Sequence, residues 1–132
     1  MIEFLEAIIT KLKTVHARVY LEQAPEEIED PITGAVTPPE FPYVTYKLPG
    51  SSDTEVREDF ILEITIWDDD PDTEVLEQLT HDIDTAFKNF HYVDPGMVFC
   101  ASFYRFFRGM IPDPDPSIRR RELRIQVQVY FL

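Results

Sequence analysis

Cysteine is nearly absent from this chain. Cys100 stands alone among 132 residues, which excludes an internal disulfide and a zinc site built from several thiolates. Cations are scarce too. Twelve lysines and arginines face 25 aspartates and glutamates, giving a net charge of −13 and a pI near 4.4. Such a surface repels phosphate backbones, so tight nucleic-acid binding is disfavoured. No apolar run approaches membrane-spanning length. The first residues lack a basic segment followed by an apolar run, so no signal peptide is expected there. Glycine is scarce, with four residues, and no Gly-rich phosphate loop or GxSxG elbow occurs.

What the chain does have is alternation. Phe60-Ile61-Leu62-Glu63-Ile64-Thr65-Ile66-Trp67 changes character at every residue. So does the stretch from Arg119 to Leu132, with Leu123, Ile125, Val127, Val129 and Phe131 on one face and Arg124, Gln126, Gln128 and Tyr130 on the other. A period of two is the signature of a strand with one face in a core. Because this pattern runs to Leu132, the C-terminal segment is expected to be part of a sheet. Apolar residues make up 44% and aromatics 13%, enough for one packed domain spanning residues 1–132.

Residues Ile2 to Thr14 predict a helix. Leu5, Ile8, Ile9 and Leu12 keep the three-four spacing of a buried stripe, with glutamates early and lysines late. Strands follow at Ala17–Glu22, Tyr43–Leu48 and Glu55–Asp68. The Asp69-Asp70-Pro71-Asp72 break then offers Asp72 or Thr73 as cap of a second helix reaching about Phe90. The stripe of that helix is Val75, Leu76, Leu79, Ile83, Ala86, Phe87 and Phe90. A fourth strand covers Met97–Arg108 and a fifth starts at Arg119. The turns expected between these elements include Pro49–Asp53 and Val93–Gly96. The expected fold is α+β: a mostly antiparallel sheet of about five strands with two helices packed on it, in the order α-β-β-β-α-β-β.

Two proline-rich loops interrupt this order. Pro25 to Pro42 holds five prolines, with a small hairpin expected around Gly34. Loops this long are often functional or become ordered by a partner, and a merely mobile surface loop is the competing reading. Pro112-Asp113-Pro114-Asp115-Pro116 is a stiff polar connection. Ile32, Thr33 and Gly34 in the first loop, with Asp113 and Asp115 in the second, are candidate contact residues.

Six of the twelve cations, Arg105, Arg108, Arg119, Arg120, Arg121 and Arg124, fall in the last two strands. They either guard solvated strand edges or form a basic face that docks on an acidic face of the next subunit. Arg105, Arg108, Arg119, Arg120 and Arg121 are therefore further interface candidates. Tyr104, Phe106 and Phe107 either fill the core or join that interface.

Chemistry finds little support. Asp68, Asp69, Asp70 and Asp72 lack the glycine and distal glutamate of an EF-hand loop, and capping explains them without a metal. His16, His81 and His91 show no ligand spacing, with His81 expected on the surface. Cys100 lies within a strand and is expected to be a buried, inert thiol. The expectation is a protein that is not an enzyme and needs no cofactor. The rival expectation is a small acidic metal-dependent hydrolase using Asp68–Asp72 and His81.

The layout also carries a resemblance. An N-terminal helix leads to a short Val-Tyr strand, then Ala24-Pro25-Glu26, then Phe41-Pro42-Tyr43-Val44-Thr45-Tyr46. A long alternating strand, an Asp-rich helix start and a closing alternating strand follow. Over nearly its whole length the chain resembles the small tail terminator, or tail completion, proteins of long-tailed bacteriophages and prophages. The resemblance implies a small α+β subunit that forms a hexameric ring. That ring would cap the tail tube protein, meet the head connector protein, and pass DNA through its lumen. It implies a location in the virion tail after assembly in the bacterial cytoplasm, with no membrane, catalysis or cofactor. Another neck or head-completion protein is the neighbouring alternative.

Overall fold

The structure is a computed structural model. It describes residues 2–21, 28–29, 32, 34, 36–37, 40–48, 51–53, 57–88, 90–96, 99–112 and 114–131.

The two alternating stretches become the middle of one sheet. β6 (Arg57–Asp68) and β9 (Arg119–Phe131) pair antiparallel from Arg57 opposite Tyr130 to Asp68 opposite Arg119. Phe60, Leu62, Ile64 and Ile66 on β6 share a face with Leu123, Ile125, Val127 and Val129 on β9, and all eight are buried. Register is strongly specified here, because a slip of one residue would turn both apolar rows to water. β4 (Tyr43–Lys47) extends the sheet antiparallel to β6, and β1 (Val19–Leu21) runs parallel to β4 at that edge. On the other side β8 (Phe99–Ile111) forms a long hairpin with β9, and β7 (His91–Val93) pairs with the first residues of β8. The order is β1-β4-β6-β9-β8-β7, with β5 (Ser51–Asp53) pairing on the start of β6.

Helices α1 (Ile2–Lys13) and α2 (Glu74–Phe87) contribute to the core on the apolar face. Ile8 and Leu12 of α1, and Leu76, Leu79, Ile83 and Phe87 of α2, complete it. The α2 stripe differs from expectation at three positions. Val75 is exposed, and Thr80 is buried in its place on the packed side. Thr80 satisfies its hydroxyl by donating to the Leu76 carbonyl at 2.8 Å, which makes a polar residue tolerable there. The helix ends at Phe87 because Lys88 turns to an extended conformation; Phe90, beyond it, still stacks on Phe103 at 4.8 Å.

The α+β class, the two helices and the mainly antiparallel sheet agree with the sequence pattern. The count of strands is larger. The extra ones, β2 (Ile28–Glu29), β3 (Val36–Thr37), β5 and β7, are two or three residues long, too short to show a period. Ser51–Asp53, expected in a turn, is β5, and Val93, expected to open a turn, closes β7.

Candidate functional site

The arginines of the last two strands do not gather on one face. The period of two sends Arg119 and Arg121 to the helix side of β9, and Arg120 and Arg124 to the opposite side. The bulge between Arg105 and Phe107 lets both Arg105 and Arg108 point to the helix side. There α2 meets them. Asp84 binds Arg105 at 3.1 Å and Arg108 at 3.4 Å, and Glu77, seven residues earlier on α2, pairs with Arg121. Arg119 is exposed, with a long 3.5 Å contact to the Pro116 carbonyl. Of the two readings of these arginines, a single basic face is therefore corrected to two sets. The helix-side set is partly neutralised within the chain.

On the opposite face Arg120 lies over the Trp67 ring at 4.5 Å, and its Nη2 donates to the Pro112 carbonyl at 3.1 Å. Trp67 donates its indole N–H to Thr45 Oγ1 at 3.0 Å and stacks on Tyr43. Lys47 pairs with Glu63 at 3.4 Å, and Arg124 with Glu122 at 3.1 Å while lying over Phe107. Gly109 makes room for that ring, since a Cβ there would come within 2.7 Å of it. Among the described side chains of this face, Lys47, Arg120 and Arg124 balance Asp59, Glu63 and Glu122. A hollow of about 140 Å³ opens between Thr45, Thr65, Trp67 and Glu122. Tyr104, which hydrogen-bonds Gln126, is on this face and is exposed, so it does not fill the core.

The outer margin of β8 is different again. β7 covers only Cys100–Ser102, and beyond Phe103 no strand among the described residues pairs with that edge. Phe106, the extra residue of the bulge, is 49% exposed, and Met110 is 69% exposed. Met110 stands opposite Arg121 and shares the helix-side face with Arg108 and Arg119.

The first proline-rich loop contains a hairpin, as expected. β2 and β3 pair antiparallel with each other and form a two-stranded sheet separate from the main one. Ile32 near its tip is 92% exposed, and Gly34 has φ +72°, a conformation glycine adopts without Cβ strain. Thr33 lies outside the described residues, as do Ala24, Pro25 and Glu26. The return leg of this arm is clamped. The Pro42 carbonyl lies 2.8 Å from His16 Nε2 and accepts the Arg18 Nε–H at 3.1 Å, and Arg18 also reaches Glu40 at 3.8 Å.

In the second loop Asp113 lies outside the described residues. Asp115 shapes the turn itself. Its Oδ1 accepts from the Ser117 amide at 2.9 Å and from the Ser117 hydroxyl at 2.7 Å, and these two bonds hold its carboxyl below the usual carboxylate range.

The aspartates before α2 form a relay. Asp68, Asp70 and Asp72 each accept, through Oδ1, the amide two residues ahead, at 3.4, 3.0 and 3.0 Å. Asp68 is buried and also accepts the Asp69 amide. Thr73 is the capping residue by position but makes no side-chain cap bond; Asp72 supplies it. Among the described residues no three His, Cys, Asp or Glu side chains are placed to share a metal. His81 is exposed, and His91 Nδ1 lies 3.2 Å from Ser102 Oγ across β7 and β8. Cys100 is half-buried, not fully enclosed, because it alternates with the buried Ala101 and stands opposite Tyr130 on the outer face of the sheet.

Sequence reasoning overlooked Asp84, Glu77 and Met110. The seven-residue spacing of the two acids was a usable signal, since it puts both on one helix face opposite strands rich in arginine. No helix of the described residues is long and apolar enough to cross a membrane.

No family model matches this chain, and no curated protein does. Solved structures do share its fold. One of them, a protein whose name states no activity, superposes with a TM-score of 0.57 at 11% identity, covering 97% of this chain and 96% of its own. At that identity the likeness is one of fold.

Proposed function

We propose that this chain is a virion structural protein that caps the tail tube of a long-tailed bacteriophage, ends tail elongation and joins the tail to the head connector. The observation that carries the reading is the arm. A small α+β body holds a separate hairpin off its sheet, with Ile32 exposed to 92%, and clamps its return leg through His16 and Arg18. The element order around that arm is also the one in which the chain resembles the tail terminator proteins.

The mechanism is capping. A growing tube offers unpaired edges and pockets at its end. A ring of subunits, six in the related proteins, satisfies them with its arms and presents a different surface outward, so no further tube subunit can add. A ring interior with an acidic balance lets DNA pass without holding its phosphates, as expected of a chain with net charge −13. The function needs no cofactor.

Electron microscopy of particles made after inactivating the gene in its source phage or prophage tests this. Overlong tubes beside filled heads are the expected result. Tails of normal length that fail to join heads would restrict the protein to joining, and wild-type particles would overturn the proposal.

A further inference from the structure

One row across the outer face of the sheet is built mainly from short side chains. Thr45 on β4 stands opposite Thr65 on β6, Thr65 opposite Glu122 on β9, and Glu122 opposite Gly109 on β8. The flanking rows are tall. Tyr43, Trp67 and Arg120 form one wall, continued by Ile111, and Lys47, Glu63 and Arg124 form the other. Short residues between tall rows leave the hollow of about 140 Å³.

Two buried polar groups in it keep bonding capacity. Thr45 is 7% exposed and its Oγ1 accepts the Trp67 indole N–H, so its own hydroxyl hydrogen remains to be donated; among the described residues no acceptor takes it. Glu122 is also 7% exposed. Arg124 Nη2 lies 3.1 Å from its Oε2 as an ion pair, but among the described residues no donor is aligned on that enclosed oxygen as a hydrogen bond. Buried polar atoms are costly without a partner, so each calls for one.

Charge limits what that partner is. Glu63 already holds Lys47, Glu122 holds Arg124, and Arg120 lies over Trp67. An incoming carboxylate would meet two carboxylates, and an incoming ammonium would meet three cations. A neutral group with an acceptor at one end and a donor at the other meets neither cost. A primary amide is such a group. Its oxygen and nitrogen are about 2.3 Å apart, so with a hydrogen bond of about 2.9 Å at each end it spans about 8 Å. Thr45 and Glu122 are two strand spacings apart, about 10 Å between backbones, and the longer glutamate side chain closes the difference. The hollow holds several times the ~30 Å³ share of one water, but less than the ~300 Å³ of a pocket for a whole drug-sized molecule. It is the size of a side chain.

We infer that the hollow takes a primary amide on a short aliphatic stem, the side chain of a glutamine presented by a partner protein. The amide oxygen accepts from Thr45 Oγ1, an amide N–H donates to Glu122 Oε2, and the stem lies along Ile111 and the edge of Trp67, whose two faces are covered by Arg120 and Tyr43. The inference stands independently of the tail reading.

Nuclear magnetic resonance tests it. Trp67 is the only tryptophan, so its indole N–H gives a single signal at the wall of the hollow. Propionamide, the glutamine side chain without its backbone, is expected to shift that signal saturably in the millimolar range, as a ligand of few atoms does. Propionate and propylammonium, of similar size and opposite charge, should bind at least about tenfold more weakly. Glu122→Gln should weaken propionamide about fivefold or more, and Thr65→Val, which places a methyl on the floor of the hollow, should weaken it too. Circular dichroism checks the fold of each variant, and Thr65→Val keeps the test valid if Glu122→Gln unfolds. No saturable shift up to about 100 mM propionamide overturns the inference and leaves the hollow to solvent. So do equal shifts with all three probes, or binding unchanged in both folded variants. The peptide acetyl-Ala-Gln-Ala-N-methylamide should bind more tightly than propionamide; weaker binding would overturn the protein source and assign the site to a free amide.

Discussion

Arg120 stands directly opposite Trp67 across the β6–β9 ladder, and its guanidinium lies over the indole at 4.5 Å. The pair closes one end of the sheet's outer face, where Tyr43 stacks on the other side of the same indole. An arginine picked out by its charge as an interface candidate is thus committed to an aromatic neighbour in its own chain.

Trp67 is the only tryptophan, so its fluorescence reports this corner alone. Arg120→Ala is expected to shift the emission to the red and to cost about 1 kcal/mol in denaturant unfolding. Trp67→Phe, which removes the indole donor to Thr45, is expected to cost about 1 kcal/mol more than its lost area alone. An unchanged emission maximum in Arg120→Ala would mean that the stacking does not persist in solution.

Asp84 holds two arginines at once. Its side chain is largely covered while Arg105 and Arg108 are partly exposed, so solvent screens the interaction. Asp84→Ala is expected to destabilise by about 1–2 kcal/mol, below the cost of breaking a fully buried pair. A cycle with Arg105→Ala should show non-additivity of about 0.5 kcal/mol or more, read from thermal unfolding. Strict additivity would remove this brace between α2 and β8.

Burial pushes the Tyr46 phenol above its ordinary value of 10.0. The neutral form is then favoured in the folded state. Its contribution is fully present below pH 10 and is lost as pH rises through the higher folded-state value. Stability should decline above pH 10, and Tyr46→Phe should flatten that decline in alkaline denaturant titrations. An identical slope in the variant would assign the decline to other groups.

Deleting Pro31–Thr37 removes the tip of the arm while leaving the Pro42 clamp. β2 and β3 pair only with each other, so the main domain is expected to keep its unfolding temperature within a few degrees. Capping of tail tubes by the purified protein should fail. Capping that continues unchanged would refute the arm's role.

The sequence by itself determined the sheet and its partners in the core. Alternation in Phe60–Trp67 and Leu123–Phe131 is a local property, because successive side chains leave a strand on opposite faces whatever surrounds it. The stripe of Ile8 and Leu12, and that of Leu76, Leu79, Ile83 and Phe87, is equally local, arising from 3.6 residues per turn. The same parity also separates Arg119 and Arg121 from Arg120 and Arg124, although their shared charge hides it. The aspartate relay before α2 was legible for the same reason, since each carboxylate reaches an amide two residues away.

Tertiary structure alone decided what faces those elements from elsewhere in the chain. Asp84 meets Arg105 across 21 residues and Glu77 meets Arg121 across 44, and no local pattern encodes such distances. The bulge at Phe106, which turns Arg105 and Arg108 to one side, appears only when β8 is laid against β9. The exposed margin of β8 exists because β7 stops after three residues, and an edge is a property of neighbours. Period and propensity act within a few residues of chain, whereas burial, pairing and exposure depend on everything packed around them.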